Sequence, residues 1–230
     1  MEYTPEQKAV GFDTYQHIWH VQRFIAACIH GYLIAVDTTM PEPQDSTLIS
    51  LLAACSSKNG IRVSLPSDLL SVVHNTRSEF NTPSPTLIAS VMMQRMLTHD
   101  QSKLGSVEVE LFTEYTPKLK TAKFGSEEYN QFLVGLKPAL DNHYAHNRHH
   151  PEHYEDGVSS MTLIDVIEMM CDWAASSLRS KDGSFENSLK ICKSRFELSE
   201  GMVSILRATY AAYIEPIHYL VREDYETQTL

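Results

Sequence analysis

SSMTLIDVIEMMCDWAASSL, residues 159–178, is the stretch from which the fold can be read. Ile164, Ile167, Met170 and Trp173 recur at helical spacing, and a polar cap residue, Thr162 or Ser160, stands just ahead of them. This predicts a helix over about 162–179. Asp165, Glu168 and Asp172 fall at i, i+3 and i+7, so the same helix carries three carboxylates on one face. Like charges so placed repel, and the cost grows with burial. For Asp165 a solvated acidic stripe answers the problem. Asp172 sits between Cys171 and Trp173 in the apolar run MMCDWAAS, where a carboxylate calls for a cationic partner, either Lys103 or a metal ion.

Outward from this helix the chain reads as all-α. Ile18, Val21, Ile25, Ile29 and Leu33 form one apolar stripe, predicting a first helix over about 14–36. Residues 37–85 change character: Pro41, Pro43, Pro66, Pro83 and Pro85, with KNG at 58–60, interrupt the short apolar runs TLISLLAAC and SDLLSVVH. They read as an insertion with two short helices, serving as lid, dimer contact or partner surface. IRVSL at 61–65 alternates like a strand but has nothing evident to pair with. The core resumes over 86–215. LIASVMMQRML leads to His99-Asp100 near a helix end, VEVELFTEY at 107–115 favours helix narrowly over strand, and Ser126 caps a helix running toward His143. Two amphipathic stretches, 184–196 and 199–214, precede a polar acidic tail at 216–230 that is expected to fray.

Composition narrows the function classes. With 19 basic against 29 acidic residues the net charge is −10, which repels phosphate backbones and argues against extended nucleic acid as a partner. A small anion is still compatible, because a bound cation inverts the local field. No apolar run approaches the roughly eighteen residues of a membrane span, so no membrane partner is expected. The N-terminal MEYTPEQKAVGFDTYQH lacks a basic region followed by an apolar one, and a cytoplasmic location is the expectation. Cys28, Cys55, Cys171 and Cys192 are scattered without CxxC spacing and read as reduced, mostly buried thiols. No phosphate-cradling glycine loop, GxSxG elbow or HExxH helix is present.

Histidine is the informative residue type. Five of the eleven crowd together as His143, His146, His149, His150 and His153. Imidazole is costly to bury without a partner for each nitrogen, so such a run calls for either solvent or a cation. If the helix continues, His143, His146 and His150 share a face at i, i+3 and i+7 and could present imidazoles to a metal. An exposed polar helix end is the equal alternative. His99-Asp100 alone says little, since Asp100 could merely cap the next segment. Beside the other donors, a neutral imidazole and a carboxylate can ligate one divalent ion, or bridge two through Asp100.

The ordered set His17, His99-Asp100 and Asp172 resembles the H…HD…D signature of the HD-domain superfamily of helical metal-dependent phosphohydrolases. DTYQHIWHV, LTHDQSKL, HNRHHPEHY and DVIEMMCDWAAS further resemble four motifs of a family found in phages and bacteria. The resemblance covers the first helix and about 86–212. It implies an HD-like helical bundle in which His17, His99, Asp100 and Asp172 hold a metal, and Lys103 lies where HDxxK members place a lysine beside the substrate phosphate. HHPEHYEDG is similar to the paired-histidine segment of the subgroup that cleaves cyclic dinucleotides, implying His149 and His150 as ligands of a second ion. The glycine-tyrosine-proline element of that subgroup is absent after Gly157, which weighs against that substrate. His20 and His146 match no position of the pattern securely.

What the resemblance implies is hydrolysis of a phosphate ester or anhydride in a nucleotide or similar small phosphorylated metabolite. Asp100 would anchor metal and orient water, Lys103 would offset phosphate charge, and a histidine of the 143–150 group, His143 foremost, would act as general acid or bind a second ion. Mixed nitrogen and oxygen donors suit one or two ions of Mn, Fe, Co, Ni or Zn without choosing among them. Two rivals stand beside this reading: an HD-type di-iron oxygenase, and a non-catalytic nucleotide-binding or host-interaction protein. Homo-oligomerisation is left open.

Overall fold

The computed structural model describes residues 5–39, 68, 71–72, 75–76, 85–122, 126–179 and 183–218, and among them every regular element is helical. Helix α1, Pro5–Thr39, begins well before the expected Thr14 because the apolar stripe extends back to the buried Val10. Val21, Phe24, Ile25 and Cys28 line its inner face. TLISLLAAC and IRVSL lie outside the described residues. Asp68, Ser71, Val72, Asn75 and Thr76, from SDLLSVVH and just beyond it, are helical. Val72 is buried in the main core, Asn75 Nδ2 donates to the Ser159 carbonyl at 2.8 Å, and Thr76 Oγ1 accepts from Leu163 N–H at 2.7 Å. This end of the expected insertion therefore docks on the central helix of the core.

Helix α2, Pro85–Thr98, stops at a turn that carries His99 and Asp100, and a 3-10 turn follows over Gln101–Leu104. Helix α3, Ser106–Thr121, resolves VEVELFTEY as helix. Helix α4, Glu127–His146, starts at Ser126, whose hydroxyl accepts from Tyr129 N–H at 3.1 Å. At Gly135 a Cβ would come within 2.3 Å of the Tyr115 ring, so the absent side chain is what lets α3 and α4 pack this closely. Because α4 ends at His146, the expected shared face of His143, His146 and His150 does not form. The chain instead turns back through Pro151–His153 and Gly157–Ser160, both 3-10 turns, and Gly157 takes a left-handed φ of 56°.

Helix α5, Leu163–Ser177, is the axis of the molecule. Thr162 caps it and Asp165 completes a capping box, each satisfying the other's backbone amide. It is buried nearly all round, as a helix apolar on most faces must be. Asp165 is 1% exposed, so the solvated stripe expected for it is wrong: the helix has no outward face there. Helix α6, Phe185–Arg195, and helix α7, Glu200–Thr209, are capped by Ser184 and Ser199 and close the core, and α7 passes into a π-turn over Tyr210–Ile214. Of the tail expected to fray, residues 216–218 are helical, with His218 buried and held by Tyr210, and the rest lies outside the described residues. Cys28 and Cys171 are buried free thiols and Cys192 is half-buried and free; Cys55 is not among the described residues. No described helix is long and apolar enough to cross a membrane.

Candidate metal centre

Four segments far apart in sequence deliver the donors: His17 from α1, His99-Asp100 from the end of α2, His143 and the His149-His150 turn from α4 and its exit, and Asp172 from α5. The organising residue is Asp100. Its backbone sits at φ 55°, ψ 15°, a left-handed conformation that Asp tolerates better than most residues at a cost of about 1–3 kcal/mol. That bend ends α2 and sends the carboxylate inward, where it is completely buried. Its two oxygens face different partners. Oδ2 lies 3.7 Å from His17 Nε2 and 3.5 Å from His99 Nε2, while Oδ1 lies 3.4 Å from His143 Nε2 and 3.5 Å from His149 Nε2. Lys103 Nζ, one turn on, donates to Oδ2 at 2.5 Å.

Two groups of four donors result, His17-His99-Asp100-Asp172 and Asp100-His143-His149-His150. In each, one ligating atom per residue lies within 4.8 Å of every other. Opposite ligands around an ion with bonds of about 2.1 Å stand roughly 4.2 Å apart, so either group could hold a metal ion without large rearrangement. The hydrogen bonding tests the fit independently. His99 Nε2, His149 Nε2 and Asp100 Oδ1 are all buried, aimed into the cluster and without a hydrogen-bond partner. Unsatisfied buried lone pairs of this kind are rare, and a cation satisfies all three.

The outer nitrogens are held by carboxylates. His99 Nδ1 donates to Glu168 Oε1 at 2.9 Å, and His149 Nδ1 faces the same oxygen at 3.2 Å. His143 Nδ1 donates to Glu108 Oε2 at 2.9 Å. A proton fixed on Nδ1 leaves Nε2 as the donor, which is the usual arrangement behind metal-bound imidazole. His143 and His150 meet through their Nε2 atoms at 2.9 Å, and His17 Nε2 meets Asp172 Oδ1 at 2.8 Å. Asp172 thus has the His17 imidazole as its nearest partner, while Lys103 serves Asp100.

Burial opposes ionisation of Asp100, but Lys103 and the surrounding imidazoles outweigh it and hold the carboxyl well below its ordinary range. Asp172 is likewise held low against its burial, chiefly by His17. Burial also opposes the imidazolium of His99, yet Asp100 and Glu168 together raise its pKa. For His17, burial and then Arg179 lower the pKa to about 4. His150 is lowered too, by burial and by His149.

These directions set a pH dependence for the metal-free protein. His17 takes up a proton when unfolded near pH 6.5 and when folded only near pH 4, so its contribution is intact above 6.5 and lost as pH falls toward 4. His150 acts in the same sense, whereas His99 acts oppositely and gives its stabilisation at low pH. The stabilisation from the raised His99 is already complete below about pH 6.5 and does not oppose the loss between 6.5 and 4, and the depressed carboxylates of Asp100 and Asp172 add to the loss below about pH 4. The chelated protein should therefore melt at progressively lower temperature between pH 6.5 and 4. A melting temperature that rises over that interval contradicts this assignment.

Residues 6–212 match a family described as a family of unknown function, DUF5662. The chain belongs to this family. No curated protein and no solved structure matches it. The matched span contains every donor of the centre, so in this DUF5662 member the cluster lies within the family region.

Of the residues singled out in the sequence, His17, His99, Asp100, Lys103, His143, His149, His150 and Asp172 come together. His143 stands among the possible ligands, with Nδ1 on Glu108 and Nε2 toward Asp100 and His150, an arrangement different from that of a free proton donor. His146 and His153 stay outside, their Nδ1 atoms donating to the carbonyls of Asn142 and Tyr144. Glu108 and Arg95 are not among the residues singled out in the sequence, and Glu168 is not singled out there for an orienting role. Only Glu168 carried a signal, its place between Asp165 and Asp172 on one face.

Proposed function

We propose that this protein is an HD-type, two-metal phosphohydrolase acting on a nucleotide or similar small phosphorylated metabolite. The observation that carries the reading is the Asp100 carboxylate, which turns one oxygen to each of two donor groups with the Lys103 ammonium beside it. A pair of divalent ions bound there supplies Lewis acidity toward a phosphoryl oxygen and lowers the pKa of bound water. His17, His99 and Asp172 would hold one ion, His143, His149 and His150 the other, and Asp100 both. Lys103 is the part of the chain suited to the substrate. Its side chain keeps 17% exposure while its ammonium reaches the centre, so it can bind a phosphate oxygen and offset the charge that grows as the phosphorus–oxygen bond breaks. His150 is half-buried and the Asp172 side chain 12% exposed, so a substrate would approach the cluster from this side. In a chain of net charge −10, the bound ions together with Lys103 would be the local positive charge that draws an anion in.

The test is phosphate release from nucleoside mono- and triphosphates with Mn, Fe, Co, Ni or Zn, with Asp100→Asn as control. Lys103→Ala should keep its metal content and lose about 10²–10³-fold in kcat, the usual cost of one transition-state donor. If the wild-type protein holds metal, turns nothing over and returns a bound nucleotide intact, the hydrolase reading is wrong and a binding role replaces it. The nitrogen-rich donor set also suits a di-iron oxygenase. Two tightly held irons with a visible band that changes on admitting oxygen would select that chemistry.

A further inference from the structure

We infer that Glu168, braced by Arg95, is a positioning residue common to both ion positions, so that the two positions share their affinity through one buried side chain. The inference rests on the two-metal reading above and concerns a residue outside either group of four donors. Glu168 is 3% exposed and projects from α5 one turn before Asp172. Its Oε1 receives His99 Nδ1 at 2.9 Å and faces His149 Nδ1 at 3.2 Å. His99 belongs to the first donor group and His149 to the second, and their rings lie 4.5 Å apart. One oxygen therefore sets the tautomer and ring direction of one imidazole in each group.

The other oxygen is fully engaged by Arg95. Its Nε and NH2 both lie 2.6 Å from Glu168 Oε2, while its NH1 faces Asp165 Oδ1 at 3.0 Å. Arg95 stands one turn before His99 on α2, so the guanidinium ties the end of that helix to α5 beneath the centre. A planar, permanently charged fork suits this task, and an ammonium could not span the two carboxylates in the same way. The other outer carboxylate differs. Glu108 accepts only from His143 among the imidazoles and takes Asn142 Nδ2 at 2.7 Å on its second oxygen, so its influence is confined to the second group.

A carboxylate on Nδ1 raises the basicity of Nε2 and holds the ring in the ligating orientation, and losing one costs about 10–100-fold in metal affinity. Glu168→Gln should therefore weaken both ions together by about 10–100-fold, and Glu108→Gln should weaken one by that amount and leave the other as in the wild type. Cobalt(II) titration of the full-length protein reads both: the stoichiometry counts the ions, and the visible ligand-field bands report the imidazole environment of each position. A merely structural ion pair with Arg95 would lower the melting temperature and leave the spectrum and the two affinities unchanged. Should Glu168→Gln fail to fold, Arg95→Gln leaves the carboxylate in place but unbraced, and a smaller weakening of both ions is expected. The inference is overturned if either variant binds both ions as the wild type does, or loses affinity at one position alone. Wild-type protein that takes up no cobalt overturns the two-metal reading itself, and this inference with it. Two ions in the wild type and an unpaired loss in Glu168→Gln overturn only the inference.

Discussion

Asp100→Asn protein should retain neither ion at wild-type affinity, the largest effect expected of any single substitution here. Each carboxylate oxygen addresses a different donor group, so no other described side chain contributes to both of the four-donor groups. Asn is the informative replacement because it preserves shape and, like Asp, tolerates the left-handed backbone at φ 55°. Ala would add backbone strain to the loss of charge. The amide removes the negative charge that would face the cations, and its NH2 must point either at Lys103 or into the imidazoles. Loss of a direct ligand shared by two ions should exceed the ~10–100-fold penalty typical of losing an orienting group behind a ligand. Metal content after dialysis, with calorimetric titration, checks it. One ion retained at wild-type affinity would show that Asp100 serves a single position.

Asp165→Ala should produce the largest loss of stability. The side chain is buried and sits among two guanidiniums and three further donors. Arg95 faces one oxygen, while the other receives Arg148 NH2 at 3.1 Å, Tyr154 Oη at 2.9 Å, Thr162 N–H at 2.8 Å and Thr162 Oγ1 at 2.7 Å. Removing one partner from such a buried network costs about 3–5 kcal/mol, because the remaining charges stay desolvated. The lower end is expected, since the Arg148 side chain is 38% exposed and can turn to water, and Arg95 keeps Glu168. At about 2–4 °C per kcal/mol for a chain of this size, the melting temperature should fall by roughly 6–12 °C. Because Arg148 adjoins His149 and Arg95 precedes His99 by one turn, metal affinity should fall as well, but by less than in Asp100→Asn. A melting temperature unchanged within about 2 °C would mean that the network contributes little beyond filling space.

The acidic triad of α5 shows where local reading stops. Asp165, Glu168 and Asp172 were visible as one face of one helix, and their mutual repulsion marked them as needing explanation. Three different partner sets supply it: two guanidiniums for Asp165, Arg95 with two imidazoles for Glu168, and the His17 imidazole for Asp172. None of these partners is near α5 in sequence, apart from Arg148 and His149. The histidine run shows the converse. His143, His146 and His150 looked like one helical face, but α4 ends at His146, and the turn over 147–150 brings His149 and His150 back against His143 while His146 and His153 bond to backbone. Helical spacing alone cannot register a chain reversal.

What the sequence by itself determined is the local order: helices from apolar spacing, starts at Ser126 and at Thr162 or Ser160, two further amphipathic stretches over 184–196 and 199–214, and a surplus of imidazole and carboxylate donors in an acidic chain. These follow from backbone hydrogen bonding and side-chain periodicity within a few residues. Only the tertiary structure decided which donors meet. His17 and Asp172 are 155 residues apart and touch because α1 packs along α5, and Asp100 faces both groups because a left-handed turn ends α2 beside those donors. The physical reason is range: a coordination sphere is a few ångströms wide, and its members are set by how the core closes, not by spacing along the chain.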